Sequence, residues 1–184
     1  MDQERRSIDW IIVGLVLVIV SSPALALVAA NWTDGMESLW VAAIVGIAVG
    51  LVISISRFHD LTAHLFSTVY GLVWAGYLML PVQATLTLRE KILDVYFRIV
   101  GFTALAIRGG TGRDSMMFVL VLSLLFWWVG YIAIWNTIRY QRVWRVLLPP
   151  GVALIINLYY YAGSVRLAVY LMVYLLSALL IIVR

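Results

Sequence analysis

The sequence predicts an all-α fold, a polytopic membrane helix bundle with about six transmembrane helices and one amphipathic interfacial helix. Hydrophobic residues make up 64% of the 184 residues and charged residues 12%, whereas soluble domains have about 45–50% and about 25%. The mean hydropathy is +1.02. A soluble fold of this length cannot bury so much apolar surface, so the excess is expected to face lipid. We therefore interpret 1–184 as a single transmembrane domain.

The spans are predicted from apolar runs that approach the roughly 20 residues needed to cross a bilayer. Pro23 falls late in the first run and is expected to kink or end that helix. The runs are 10–30, 39–56, 61–80, 116–135, 147–161 and 165–183.

Small residues recur every fourth position in the second and third spans. In lipid, helices associate through close backbone packing and polar contacts, and small side chains let two backbones approach. The connection between these spans is short, so they are expected to be antiparallel, with their small-residue faces packed against each other. The alternative is that small residues are common in any spanning helix. The predicted packing residues are Ala42, Gly46, Gly50, Ser54, Ser67, Gly71 and Ala75.

The connection 82–113 is predicted to contain an amphipathic helix. Glu90, Asp94 and Arg98 recur every four residues, which places them on one helical face. Such a helix lies in the headgroup region or caps the bundle, with Asp94 and Arg98 paired across one turn. The alternative is a solvated helix that only joins two spans. The apolar residues of the opposite face are Ile92, Leu93, Tyr96, Phe97 and Val100.

The stretch "GGTGRDS" before the fourth span is glycine-rich. It lacks the lysine and the Ser/Thr of a phosphate-binding loop, and no strand precedes it, so we interpret it as a flexible turn. Asp114 or Ser115 is expected to cap the free amides of the fourth span.

The fifth span, "LPPGVALIINLYYYAG" with its flanks, combines two prolines and one asparagine with apolar residues. Pro149 and Pro150 are expected in the first helical turn, where a missing amide proton has no cost. Asn157 is expected to be buried inside the bundle, shielded from lipid and hydrogen-bonded to a hydroxyl such as Ser123 or Ser67.

The membrane boundary is predicted from arginines on one side of this span and tyrosines on the other. Long arginine side chains reach toward the headgroups, and tyrosines form an aromatic anchor. The predicted interface residues are Arg139, Arg142, Arg145, Tyr159, Tyr160 and Tyr161.

Orientation follows from the distribution of arginine and lysine. With a cytoplasmic N-terminus, seven of the 13 lie inside and six outside. Five of those six lie in the long connection, where a surface helix holds them, and without them the count is seven to one. We therefore predict a multi-pass protein of the bacterial plasma membrane with a cytoplasmic N-terminus.

No catalytic or metal-binding constellation is predicted, and no cofactor. The chain has no cysteine, which excludes disulfides, zinc thiolates and cysteine nucleophiles within it. The two histidines, His59 and His64, are five residues apart and lie about 140° apart on a helix, which does not suit a shared metal ion. His64 as a lone axial ligand to a pigment or haem stays open. The net charge of +4 comes from arginines beside apolar runs, which favours anionic headgroups over nucleic acid.

Three stretches resemble a known family. They are "SRFHDLTAHLFSTVYGLVWAGYLMLP", "LREKILDVYFRI" and "GGTGRDSMMFVLVLSLLFWWVGYIAIWNTIRYQRVWRVLLPPGVALIINLYY". Together they resemble the N-terminal membrane domain of bacterial transglutaminase-like membrane proteins, over about 39–184. The resemblance implies an extracytoplasmic transglutaminase-like domain with a Cys-His-Asp triad after the membrane portion. Because this chain has no cysteine, no catalytic residue is carried over.

The sequence therefore favours a non-catalytic integral membrane module and not an enzyme. It would anchor or scaffold an extracytoplasmic transglutaminase-like domain of the same gene product, or partner proteins in the membrane. One alternative is an accessory subunit of a large bioenergetic complex, respiratory or photosynthetic. Another is a lipid-handling enzyme or transporter. The expected partners are the lipid bilayer and other membrane subunits or that soluble domain.

Overall fold

The structure, a computed structural model, describes residues 9–79, 87–108, 114–163 and 165–184. These residues form helices and turns and contain no strand, so the all-α prediction is confirmed for them. A π-helical turn, Asn136–Tyr140, continues the fifth helix. The seven α-helices are α1 Trp10–Ala30, α2 Glu37–Ile55, α3 Asp60–Met79, α4 Leu88–Ile107, α5 Ser115–Trp135, α6 Val143–Tyr160 and α7 Ala168–Val183.

Within the described ranges, four helices are long and apolar enough to cross a membrane: α1, α2, α5 with its π-helical turn, and α6. The third predicted span corresponds to α3, which has 20 residues but is less apolar. The sixth corresponds to α7, whose 16 residues extend only ~24 Å at about 1.5 Å per residue. Four of the six predicted spans therefore correspond to helices long and apolar enough to cross a membrane, and the count of six stays a prediction.

Helix α5 lies at the centre of the bundle and packs along α2. Its large side chains Phe126, Tyr131 and Trp135 are fully buried. Helix α3 packs on the α2–α5 pair, while α1 packs on α2, α6 and α7. The bundle is thus built around one central helix.

The first and last described helices begin and end at the same face of the bundle. Asp9 accepts hydrogen bonds from the amides of Ile11 and Ile12 and so caps α1. Its Oδ2 atom also lies 2.8 Å from Nη2 of Arg184, just after α7. Residues 9 and 184 are therefore neighbours.

Helix α6 begins earlier than predicted. Because Val143 is its first helical residue, Pro149 and Pro150 lie in its second turn, and their predicted place in the first turn is wrong. Proline has no amide proton, so two α6 carbonyls lose their intrahelical partner. The Tyr174 hydroxyl of α7 donates a hydrogen bond of 2.7 Å to the carbonyl oxygen of Leu147, which follows these two carbonyls in α6. This hydroxyl attaches α7 to α6 beside the proline pair.

Candidate functional site

The small residues of α2 are buried against α5. A Cβ atom on Gly46 would lie 2.5 Å from the carbonyl oxygen of Trp127, and one on Gly50 would lie 3.1 Å from that of Tyr131. Ala42 and Ser54, one turn before and one turn after this pair, are also buried. The face therefore lets two backbones approach closely, as small residues do between helices in lipid.

The small residues of α3 receive a side chain of α5. Trp127 Nε1 donates to the Ser67 carbonyl oxygen at 3.1 Å and lies 3.3 Å from its hydroxyl. A Cβ atom on Gly71 would lie 2.8 Å from that same nitrogen, and Ala75 is buried one turn later.

The expected packing of these two faces against each other is thus corrected, because each packs on α5. Gly130 of α5 completes the arrangement, since a Cβ atom there would collide with the Ala43 carbonyl oxygen of α2. Gly130 was not predicted as a packing residue because it is an isolated glycine without a small residue four positions away.

Asn157 is 4% exposed. Its Oδ1 accepts a hydrogen bond of 2.9 Å from Trp32 Nε1, in the turn between α1 and α2. An indole nitrogen only donates, which fixes the orientation of the amide. The predicted hydroxyl partner is therefore wrong. Ser123 instead lies 3.1 Å from Ser38 across α2 and α5.

The predicted interface residues divide into two groups. Arg142, Arg145, Tyr159 and Tyr160 are exposed, and Tyr161 is partly buried edge-on against Trp32, with ring centroids 6.3 Å apart. Arg139 differs from them because its side chain is only 22% exposed.

Arg139 joins the end of α2 to the start of α3. Its Nη2 donates to Ser56 O at 2.6 Å and its Nε to Ser54 O at 3.3 Å, while Nη1 lies 3.4 Å from Asp60 Oδ1. Its Cζ lies 4.4 Å from the Trp135 ring centroid, a favourable cation–π distance. The last carbonyls of a helix lack intrahelical donors, and Arg139 supplies two of those donors to α2.

A second polar pair lies beside this contact. His64 Nδ1 of α3 lies 2.8 Å from the Tyr131 hydroxyl of α5, and Trp128 and Trp135 flank the imidazole. Tyr140, in the π-helical turn, donates to Asp60. We call the end of the bundle that contains Arg139, Asp60 and His64 the Arg139 end.

His59 lies outside this cluster, exposed in the turn before α3. It accepts a 3.4 Å hydrogen bond from the Leu61 amide. Across 9–79, 87–108, 114–163 and 165–184, no group of three or more His, Cys, Asp or Glu side chains is placed to hold a metal ion. The hydrogen bonds and the ion pair at the Arg139 end therefore hold α2, α3 and α5 together.

Helix α4 is tied to the start of α5 through Asp114. One carboxylate oxygen of Asp114 accepts from the amides of Met116 and Met117, which confirms the predicted cap. Its other oxygen lies 3.3 Å from Arg98, and Arg98 also forms the predicted pair with Asp94 at 2.9 Å. The middle of α4 is therefore held at the level where α5 begins. Its apolar residues Ile92, Leu93, Tyr96, Phe97 and Val100 are exposed.

The predicted connection 82–113 is described only over 87–108, and there α4 begins with a capping box. Glu90 Oε2 accepts from the Thr87 amide at 2.8 Å and from the Thr87 hydroxyl at 2.7 Å. The Thr87 hydroxyl hydrogen bond, followed by that from the amide, lowers the pKa of the Glu90 carboxyl below its usual value.

The opposite end of the bundle contains a cavity. We call this end of the bundle, where α2 begins, α3 ends and α5 begins, the Asp34 end. The cavity has a volume of about 380 Å³ and is open on one side. The side chains around it are mainly apolar, with hydroxyls from three serines and one carboxylate. Its lining includes Asp34, Ser38, Ala75, Leu78, Ser115, Val119, Leu120 and Ser123.

Comparison with known protein families, with curated proteins and with solved structures finds no match for this chain. The assignment of a function therefore depends on the geometry of the chain itself.

Proposed function

We propose that this chain is a non-catalytic integral membrane module that anchors or scaffolds partner proteins. The main observation in support of the proposal is the set of contacts that the Arg139 side chain makes. Its guanidinium contacts the ends of α2 and α3 and the Trp135 ring, so it is committed to holding helices together. A scaffold needs such a rigid frame, whereas a catalytic site needs polar groups that converge on open space.

The tight packing of α2 on α5 supports the same role. Backbone approaches at Gly46 and Gly130 leave no room for side chains, and close-packed interiors transmit position with little deformation. A partner docked on the outside of the bundle would therefore contact a rigid surface.

The proposed topology has six crossings, by α1, α2, α3, α5, α6 and α7, with a cytoplasmic N-terminus in a bacterial plasma membrane. The ion pair between Asp9 and Arg184 supports an even number of crossings, because it joins the two ends of the described chain. In this topology α4 lies at the outer boundary, with its exposed apolar face in the headgroup region.

This topology bears on the transglutaminase-like resemblance. A domain that directly follows Arg184 lies on the same side as Asp9, since these residues contact each other. A cytoplasmic N-terminus and an extracytoplasmic domain directly after Arg184 therefore exclude each other unless a further span intervenes. The scaffold could hold either a transglutaminase-like domain of the same gene product or partner proteins in the membrane. Partner proteins fit this geometry better because they require no further span.

Purification from native membranes tests the proposal. The chain, tagged at its C-terminus and extracted in a mild detergent, is expected to copurify with a partner at a fixed stoichiometry. The test variant is Arg139→Gln, which is expected to retain less of the partner because the contacts that hold α2 and α3 are lost. A solitary chain that behaves identically in both forms would contradict scaffolding.

The same preparation distinguishes the accessory-subunit alternative, which His64 favours because its ring is fixed by the Tyr131 hydroxyl. A fixed ring nitrogen is typical of an axial histidine ligand. A copurified complex with a visible absorbance band that is lost in His64→Ala and kept in His59→Ala would favour that alternative. A colourless complex would exclude His64 as a ligand to a pigment or haem and would leave the accessory-subunit alternative without this support.

A further inference from the structure

The cavity at the Asp34 end has the dimensions and the lining of a binding site for a hydrocarbon chain. Its volume of about 380 Å³ lies in the range of about 300–1,000 Å³ that small-molecule sites occupy. Ala75, Leu78 and Val119 contribute its apolar wall.

Two of the three serine hydroxyls in the wall are hydrogen-bonded within the protein. Ser38 and Ser123 lie 3.1 Å apart and hydrogen-bond each other, and Ser38 also donates to the Gly35 carbonyl oxygen at 2.7 Å. Their hydrogen-bonding capacity is therefore largely used within the protein. An apolar ligand can pass these side chains without leaving a buried donor unpaired.

The proposed topology places the cavity at the depth of lipid chains near one membrane boundary. Its lining on α5 extends from Ser115, the first helical residue, to Ser123. Eight residues at about 1.5 Å each correspond to ~12 Å along the helix, within the outer part of a hydrocarbon layer about 30 Å thick. Since α5 is long and apolar enough to cross a membrane, the proposed topology places lipid around the cavity at this depth.

The charged side chain in the cavity lining is negative. Asp34 lines the cavity and is exposed, and exposed Glu37 follows three residues later. Within the described part of the chain, neither carboxylate forms an ion pair, and the lining contains no lysine or arginine. A positively charged group is favoured there and an anionic one is repelled.

We propose that this cavity binds one hydrocarbon chain of a membrane lipid whose headgroup carries an ammonium group, with the ammonium beside Asp34. The proposal rests on the proposed membrane topology but not on the scaffolding role. It assigns the Asp34 end a specific ligand, while the Arg139 end holds the helices together.

Native mass spectrometry with mixed lipids tests it. The full chain is purified from nanodiscs that contain equal amounts of phosphatidylethanolamine and phosphatidylglycerol with identical acyl chains. Wild type is expected to retain one lipid, with a preference for the ethanolamine headgroup of up to about fivefold, the range of an exposed ion pair. Equal retention of the two lipids, or retention of none, would overturn the proposal.

Two neighbouring positions on α3 provide a matched pair of variants. Ala75→Leu fills the cavity and is expected to abolish lipid retention. Gly76→Leu adds the same side chain where a Cβ atom meets nothing within 4 Å, and it is expected to retain lipid as wild type does. Asp34→Asn is expected to keep the bound lipid and lose the headgroup preference. Identical retention by Ala75→Leu and Gly76→Leu would contradict a site in this cavity.

A measurement on the wild-type chain covers the case in which Ala75→Leu does not fold. An ethanolamine lipid with a photoreactive group in its acyl chain is reconstituted with the protein and irradiated. The labelled peptides are expected to contain the lining of the Asp34 end, at Ala75, Leu78 and Val119. Labelling spread over the outer faces of all the helices without enrichment there would overturn the proposal.

Discussion

The two ends of the α2–α5 pair are held together in different ways. At the Arg139 end, a guanidinium reaches two carbonyls, a carboxylate and an indole ring. At the Asp34 end, the serine hydroxyls of Ser38 and Ser123 join α2 to α5 beside an open cavity. Charged hydrogen bonds contribute about twice as much as neutral ones. The Arg139 end is therefore held by charged contacts, whereas the Asp34 end leaves space that a ligand can fill.

The frame between the two ends gives the largest expected effect. Gly46→Leu places side-chain atoms where the Trp127 carbonyl oxygen lies, and backbone cannot move aside as a flexible side chain can. Overpacking of this kind typically costs about 1–3 kcal/mol, and occasionally more. We expect a lower melting temperature in detergent. Gly14→Leu is the control, since a Cβ atom at Gly14 meets nothing within 4 Å. Equal melting of the two variants would reject the close α2–α5 approach.

Removal of the bridge at the Arg139 end comes next. Arg139→Gln loses the ion pair with Asp60 and the donors to Ser54 and Ser56, and hydrogen bonds to charged groups are worth about 1.5–3 kcal/mol. Part of this is recovered by water because Asp60 is 43% exposed. We therefore expect a loss of about 1–2 kcal/mol by thermal or denaturant unfolding in detergent. Arg142→Gln, at an exposed position, is expected to stay within about 0.5 kcal/mol of wild type. A similar loss in both would remove the distinction between the two ends.

A smaller effect is expected at the hydrogen bond between Trp32 and Asn157. Trp32→Phe removes the indole donor and leaves the buried Asn157 amide without it. Polar contacts between membrane helices contribute about 0.6–2 kcal/mol, so we expect a loss at the lower end of that range in the same unfolding assay. The double variant Trp32→Phe with Asn157→Leu should be less destabilised than the sum of the two single variants. Strict additivity would show that the two side chains do not interact.

The smallest effect is a pH dependence at the start of α4. The pKa of Glu90 is lowered in the folded chain, so its contribution is present above the ordinary carboxyl pKa and is lost as pH falls through the lowered value. Hydrogen exchange at 87–108 should therefore accelerate on acidification, relative to the intrinsic exchange rate at each pH. In Glu90→Gln this part of the acid response should disappear. An unchanged response would show that the capping box does not stabilise α4.

The sequence predicted the features that depend on local spacing. Helices followed from long apolar runs, the Asp114 cap from its place before such a run, and the pair of Asp94 and Arg98 from their four-residue separation. Each of these depends on neighbours within one helical turn, so the primary sequence carries the information directly.

Features that depend on the three-dimensional arrangement could not be predicted in this way. Arg139 was expected to extend toward headgroups because it lies beside an apolar run. The sequence does not show that the end of α2 and the start of α3 lie within reach of its side chain. Trp32 was missed as the partner of Asn157, since they are separated by 125 positions. The start of α6 was placed too late because Arg145 precedes the apolar run, although Arg145 is helical.

The crossing of the membrane by α2 is the central claim, and the absence of cysteine from the sequence allows a direct measurement. Asp34→Cys and His59→Cys each place one thiol in an exposed turn at an opposite end of α2. We predict that a membrane-impermeant maleimide labels Asp34→Cys in intact cells and labels His59→Cys only after permeabilisation. Labelling of both thiols in intact cells, or of neither, would contradict the account.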